Sequence, residues 1–285
     1  MVFSNKNKGV LLYTFGMLIT VLLNIVIKFI TTEYKIPTIE VLFVRQCFFF
    51  VFLIPLMIKR KFNFFDKRSL KPNLIRNILF SIGTFLLYSG MAVVPLNDAT
   101  AITFLTPIIG TVLSIKILGE KCSKSIIIAV VLALTGMFIV KQPTFDNKSL
   151  FYGYCFLFVC VFIRGYVVVL NKKLTNQFDI YTLLFYTHII MLLCSFLYFP
   201  FFVKFDILAL KYIFIACVLF FLEYFILFKA YKHCQATTLQ PFEFSKLIFM
   251  MFFSSLFLNE PTTLNQVIGG IVIVSGYFFV IFKKN

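Results

Sequence analysis

Four charged residues stand inside long apolar runs: Arg164, Glu223, Glu243 and Lys246. Glu243 and Lys246 are three apart, so on a helix they share a face and can pair. A carboxylate can hold an ammonium or sulfonium cation, and a guanidinium or ammonium can hold a carboxylate. Together the four could grip a molecule that carries both signs. Tyr88, Phe104, Tyr186 and Tyr224 could stack on a planar base or lie against a cation, although most of the 41 Phe and 13 Tyr must serve packing alone. Asn24 and His188 are further polar groups in apolar runs; a lone His there is ordinarily an interhelical hydrogen bond. A charge at the centre of a bilayer costs about 2.5–3.5 kcal/mol on insertion scales, so these groups are expected to face an interior. One reading is a buried ion-pair network tying helices together. The other is a cavity in which the same groups exchange partners with a substrate.

The elements that would position them follow from composition. The 285 residues are 61% hydrophobic and 13% charged, with mean hydropathy +0.98, against roughly 45–50% apolar and 25% charged in a soluble domain. An integral membrane protein is expected. Apolar runs long enough to span fall near 9–29, 41–58, 74–93, 98–118, 125–141, 151–170, 181–203, 211–231, 237–258 and 264–282;. They are continuous rather than alternating, which predicts ten helices and not a barrel. The net charge of +16 comes from Lys and Arg in the short connections and helix ends. With the N-terminus inside, seventeen of them lie on the inner side and five on the outer, so both termini are expected in the cytoplasm. That pattern accounts for the basic balance without nucleic acid. The first run is about 20 residues with no Ala before Ala92, so it reads as a retained helix and not a cleaved signal. The seven Cys are scattered without a C-x-x-C, which predicts neither disulfides nor a metal site. No cofactor is expected.

Within 93–107, "VVPLNDATAITFLTP", small polar residues and a proline interrupt hydrocarbon sequence. Asp98 is placed to cap the fourth helix. Thr103, Thr106, Gly110 and Ser114 fall at helical spacing on one face, either for close packing through small residues or to line a polar cavity. Pro107 is expected to disturb the backbone hydrogen bonds beside that face, and Pro241 to loosen the inner end of the ninth helix as a gating hinge. Glu243 lies roughly 9 Å and Glu223 about 18 Å from the inner starts of their spans, at 1.5 Å per residue; Arg164 is comparably deep. Lys28, Arg45 and Arg76 sit near span ends and are expected to snorkel to the interface.

The chain also repeats. "LGEKCSKSIIIAVVLALTGMFIV" (118–140) aligns without gaps to "LNEPTTLNQVIGGIVIVSGYFFV" (258–280), matching Glu120 to Glu260 and Gly136 to Gly276. This divides the chain into halves at 1–141 and 150–285, with 142–149 as linker. Five spans per half is odd, so the second half is expected to run inverted, with a pocket between the halves as in secondary transporters.

"MAVVPLNDATAITFLTPIIGTVLSIKILGEK" (91–121), "PTIEVLFVRQ" (37–46) with Arg45, and "QPFEFSKLIFMMFFSSLFLNEP" (240–261) resemble motifs of the drug/metabolite transporter superfamily, EamA type. The resemblance covers the whole chain and is nearest to the S-adenosylmethionine uptake carriers of intracellular bacteria. It implies a small-molecule carrier of the inner (cytoplasmic) membrane that takes up S-adenosylmethionine, with S-adenosylhomocysteine as an exchange partner; an exporter of amino acids or cationic metabolites and drugs is the alternative. On that implication the substrate would meet Glu223 or Glu243 through its cation, Arg164 or Lys246 through its carboxylate, and aromatic residues through adenine. Oligomeric state is left open. No P-loop, H-E-x-x-H or G-x-S-x-G occurs, so neither ATP-driven transport within this chain nor an enzyme is expected.

Overall fold

An apolar run in lipid must satisfy its own peptide groups, and a single segment does so as a helix. The computed structural model describes residues 5–37, 40–49, 67–91, 93–94, 99, 102–141, 151–196, 207–258 and 263–281, and among these all regular structure is helical. In chain order the elements are α1 (Asn5–Glu33), α2 (40–49), α3 (Lys67–Met91), α4 (Thr106–Leu118), α5 (Lys124–Lys141), α6 (Phe151–Gln177), α7 (Ile180–Ser195), α8 (Ile207–His233), α9 (Ala236–Leu239), α10 (Ser245–Leu258) and α11 (Leu264–Ile281). α1, α3, α6 and α8 each contain a stretch long and apolar enough to cross a bilayer unaided;. Large apolar side chains face outward along the bundle, among them Phe162, Leu208, Phe252 and Ile271, a surface suited to hydrocarbon and not to water.

Local chemistry sets the helix ends. Lys35, with φ 53°, turns the chain out of α1. Asp179 caps α7, its carboxylate accepting the Tyr181 N–H at 3.2 Å;. Gly119 adopts φ 65° at the end of α4, the left-handed region that a Cβ disfavours. That turn delivers the next residue, Glu120, to the start of α9. Its carboxylate accepts the backbone N–H groups of Ala236 at 3.0 Å and Thr237 at 2.8 Å. Leu118-Gly119-Glu120 therefore joins the end of the fourth span to the start of the ninth. Asp98 and Glu260 lie outside the described residues.

Two predicted spans are not single helices. In the fourth, residues 102–103 are helical, Phe104 and Leu105 form a turn, and α4 starts afresh at Thr106. Pro107 thus occupies the first turn of α4, where a missing N–H and a fixed φ are tolerated. The backbone is thus interrupted directly before Pro107, beside the face that carries Thr103 and Thr106. The ninth span is interrupted by a tighter stretch: α9 gives way to a 3₁₀ helix over Gln240–Phe244, with Pro241 at its start, before α10 resumes at Ser245.

Helices in lipid gain nothing from burying apolar surface against one another, so close approach through small residues holds them together. α1 packs along α8, α3 along α6, and α5 along α11. The α5·α11 crossing brings backbone against backbone. A Cβ on Gly136 would stand 2.5 Å from the Gly269 carbonyl oxygen, and one on Gly276 would stand 3.1 Å from that of Ala129. Residues 136 and 276, like 129 and 269, are 140 apart, the displacement that aligns Leu118 with Leu258. Each contact is therefore the counterpart of the other with the halves exchanged.

Candidate functional site

The two helix breaks meet at the centre of the bundle. Extending the ungapped alignment back along the fourth and ninth spans sets Thr103 against Glu243, Phe104 against Phe244 and Thr106 against Lys246. The Phe pair stacks directly, ring centroids 5.1 Å apart and 25° from parallel. Thr103, Phe104, Thr106, Glu243 and Lys246 all line one cavity of about 260 Å³. Gly110 and Ser114, farther along α4, are buried; a Cβ on Gly110 would lie 3.0 Å from Gln240 Oε1 and 3.4 Å from Val168. The small-residue face of the fourth span thus lines the cavity at one depth and packs against its neighbours at another.

Arg164 on α6 and Glu223 on α8 line the same cavity, together with Tyr224. All four charges singled out in the sequence therefore share one wall-to-wall space. Glu243 pairs with Lys246 and accepts the Tyr13 hydroxyl at 2.5 Å. Glu223 accepts the Thr20 hydroxyl at 2.8 Å. Tyr13 and Thr20 stand seven residues apart on α1, two turns along one face, and both line the cavity. The cations lie over rings: Arg164 is 5.6 Å from the Phe80 centroid and Lys246 5.9 Å from that of Phe104. Tyr224 sits among Phe80, Phe220 and Phe228. The cavity thus offers carboxylates, cations and aromatic faces within one enclosure, the mixture that orients a zwitterionic molecule with a planar ring.

Other predicted residues fall elsewhere. Asn24 is exposed on α1. Tyr186 packs in a separate cluster with Phe49, Phe185, Ile190 and Cys217. Tyr88 is half-buried on α3 and does not line the cavity, though it lies within electrostatic reach of Arg45, Arg164 and Glu223. Pro107 and Pro241 are buried at the two breaks. His188 meets Gln46 of α2 at 3.0 Å and stacks on Phe49, an interhelical tie.

Arg45 and Arg76 do not snorkel, which corrects the reading from span position. Arg45 is 3% exposed, its guanidinium 3.8 Å from the Phe220 centroid, and Arg76 is fully buried. Position along a helix gives depth, but the facing helices decide whether a long side chain reaches water. Tyr13, Thr20 and Asn171 escaped the sequence reading. Polar residues seven apart in an apolar helix, 13 and 20 in α1 and 164 and 171 in α6, were the signal that could have found them.

The pattern of the EamA-like transporter family matches residues 7–141 and again residues 151–282. The chain belongs to the EamA family. It is a multi-pass membrane protein and a transporter rather than an enzyme. Among its relatives, the S-adenosylmethionine uptake transporter of Rickettsia prowazekii (strain Madrid E) is 22% identical over 88% of this chain and 85% of that protein. The protein of the same name from Rickettsia conorii (strain ATCC VR-613 / Malish 7) is 21% identical over 92% and 88%. The human solute carrier family 35 member G1 is 29% identical over 41% of this chain and 32% of its own length. A solved crystal structure, 14% identical, superposes over 96% of both chains with a TM-score of 0.78, so this EamA chain shares its fold.

Proposed function

We propose that this chain is a secondary carrier that takes up S-adenosylmethionine across the inner membrane in exchange for S-adenosylhomocysteine. Its two halves are inverted five-helix repeats that rock about the central cavity, with both termini in the cytoplasm. The observation that carries the reading is the convergence of Glu223, Glu243, Arg164 and Lys246 on one cavity of about 260 Å³ between two broken helices. Interrupted helices at corresponding places in two halves are where secondary carriers bind their cargo, because freed backbone groups are tolerated only beside a polar space. The double family match and the reciprocal α5·α11 contacts support the inverted arrangement. The names of the relatives support the substrate.

In this reading the sulfonium and ammonium meet the two glutamates, while Arg164 takes the carboxylate. Lys246 leaves Glu243 as the cargo's cation arrives. Phe104 and Tyr224 receive the adenine. The cavity is smaller than the roughly 300–1,000 Å³ of most ligand pockets, so loading requires the walls to separate, as alternating access provides. Uptake of labelled S-adenosylmethionine into proteoliposomes tests the proposal. Unlabelled S-adenosylmethionine and S-adenosylhomocysteine should both compete, and preloaded S-adenosylhomocysteine should accelerate entry. Competition only by amino acids or organic cations would favour the exporter reading instead.

A further inference from the structure

Arg76 is fully buried in α3, and its hydrogen-bond partners are all neutral. Its Nε donates to Asn171 Oδ1 at 2.5 Å, and its Nη1 donates to Asn77 Oδ1 at 2.9 Å and Thr187 Oγ1 at 2.7 Å. Its Nη2 is buried with no partner. No carboxylate among the described residues bridges it; Glu243 pairs with Lys246 and Glu223 takes the Thr20 hydroxyl. A buried cation without a counter-ion is among the most expensive groups a protein can hold, and the two acids of the neighbouring cavity, Glu223 and Glu243, already face Arg164 and Lys246 across it. Among the described residues nothing answers that charge, which leaves it to an anion that the cargo brings.

The route to Arg76 runs through the cavity wall. Asn171, which accepts its Nε–H, lines the cavity, as do Phe228 and Tyr224. The guanidinium carbon lies 4.9 Å from the Phe228 centroid and 5.9 Å from that of Tyr224. Because Asn171 Oδ1 faces an obligate donor, its amide must be oriented with the NH₂ group away from Arg76. Asn171 therefore keeps its two N–H donors for an incoming group, and Arg76 polarises it from behind. Two turns along α6, Arg164 faces the same space;.

We propose that Asn171, backed by Arg76, completes with Arg164 the subsite for the carboxylate of the transported molecule, with Arg76 acting as a positioning residue. This rests on the carrier reading above and adds to it which wall receives the anion: the α3–α6 side, on helices other than those that carry the glutamates. Asn171→Asp supplies Arg76 with the missing carboxylate from the protein itself, so the variant keeps or gains stability while its wall turns from donor to acceptor.

The test compares S-adenosylmethionine with its decarboxylated analogue by the concentration of each that half-maximally raises the thermal unfolding temperature of the purified full chain. The wild type is expected to prefer the carboxylate-bearing ligand by about tenfold or more, the scale of one hydrogen bond to a charged group. Asn171→Asp should abolish that preference with its own unfolding temperature undiminished, and Asn171→Ala should weaken it. An undiminished preference in Asn171→Asp overturns the proposal. Should neither ligand act on the wild type, the substrate reading fails instead, and acetate against acetamide decides the subsite. Stabilisation by acetate that Asn171→Asp removes upholds it, and its absence or persistence refutes it.

Discussion

Glu243→Gln separates a binding group from a structural strut. The substitution keeps shape and still allows Tyr13 to donate to the remaining carbonyl oxygen, but it strips Lys246 of its counter-charge. Breaking a fully buried pair costs about 3–5 kcal/mol, and an exposed pair contributes about 0–1 kcal/mol. The side chains here retain 20% and 26% exposure, which places the stability loss near 2 kcal/mol. A transported cation would lose a charge-assisted contact of about 1.5–3 kcal/mol, or roughly 10–150-fold in affinity. Uptake into proteoliposomes, alongside unfolding temperature and membrane abundance, resolves the two losses. The decisive comparison is the double variant Glu243→Gln/Lys246→Met, in which the stranded ammonium is gone. Stability should return towards the parent while uptake stays at least tenfold down. If the double variant recovers uptake together with stability, the pair is a strut and the reasoning about the cation subsite is wrong.

The α5·α11 crossing makes an ordered prediction. Gly136→Ala forces a methyl to 2.5 Å from a backbone oxygen and should destabilise by about 1–3 kcal/mol, whereas Gly276→Ala, at 3.1 Å, should be milder;. Thermal unfolding that ranks them the other way would show that the crossing relaxes freely. Glu120→Ala removes the acceptor for two backbone N–H groups at the start of α9 and should lower stability by about 1–2 kcal/mol. Protein abundance should fall more than substrate affinity, and an affinity change at unchanged abundance would contradict a purely structural role.

What could be read without coordinates was whatever lipid imposes on sequence. Continuous apolar runs must become helices, because unpaired peptide groups are excluded from hydrocarbon. The deep charges Arg164, Glu223, Glu243 and Lys246 had to face inward for the same reason, and the structure brings all four to one cavity. The match of Gly136 to Gly276 was visible as a repeat, although its physical meaning, two reciprocal backbone contacts, was not. Local sequence cannot say which helices face each other, and that is where its reach ended. Arg76 looked able to reach the interface, yet the helices around it leave it fully buried on Asn171, Asn77 and Thr187, residues up to 111 positions away. Tyr13 and Glu243 are 230 positions apart and share a hydrogen bond. Pro107 and Pro241 marked the breaks, but only packing set Phe104 against Phe244 across them. Lipid acts on each segment separately and so writes its rules into each segment. The site is made by contacts between segments, and those exist only once the helices have met.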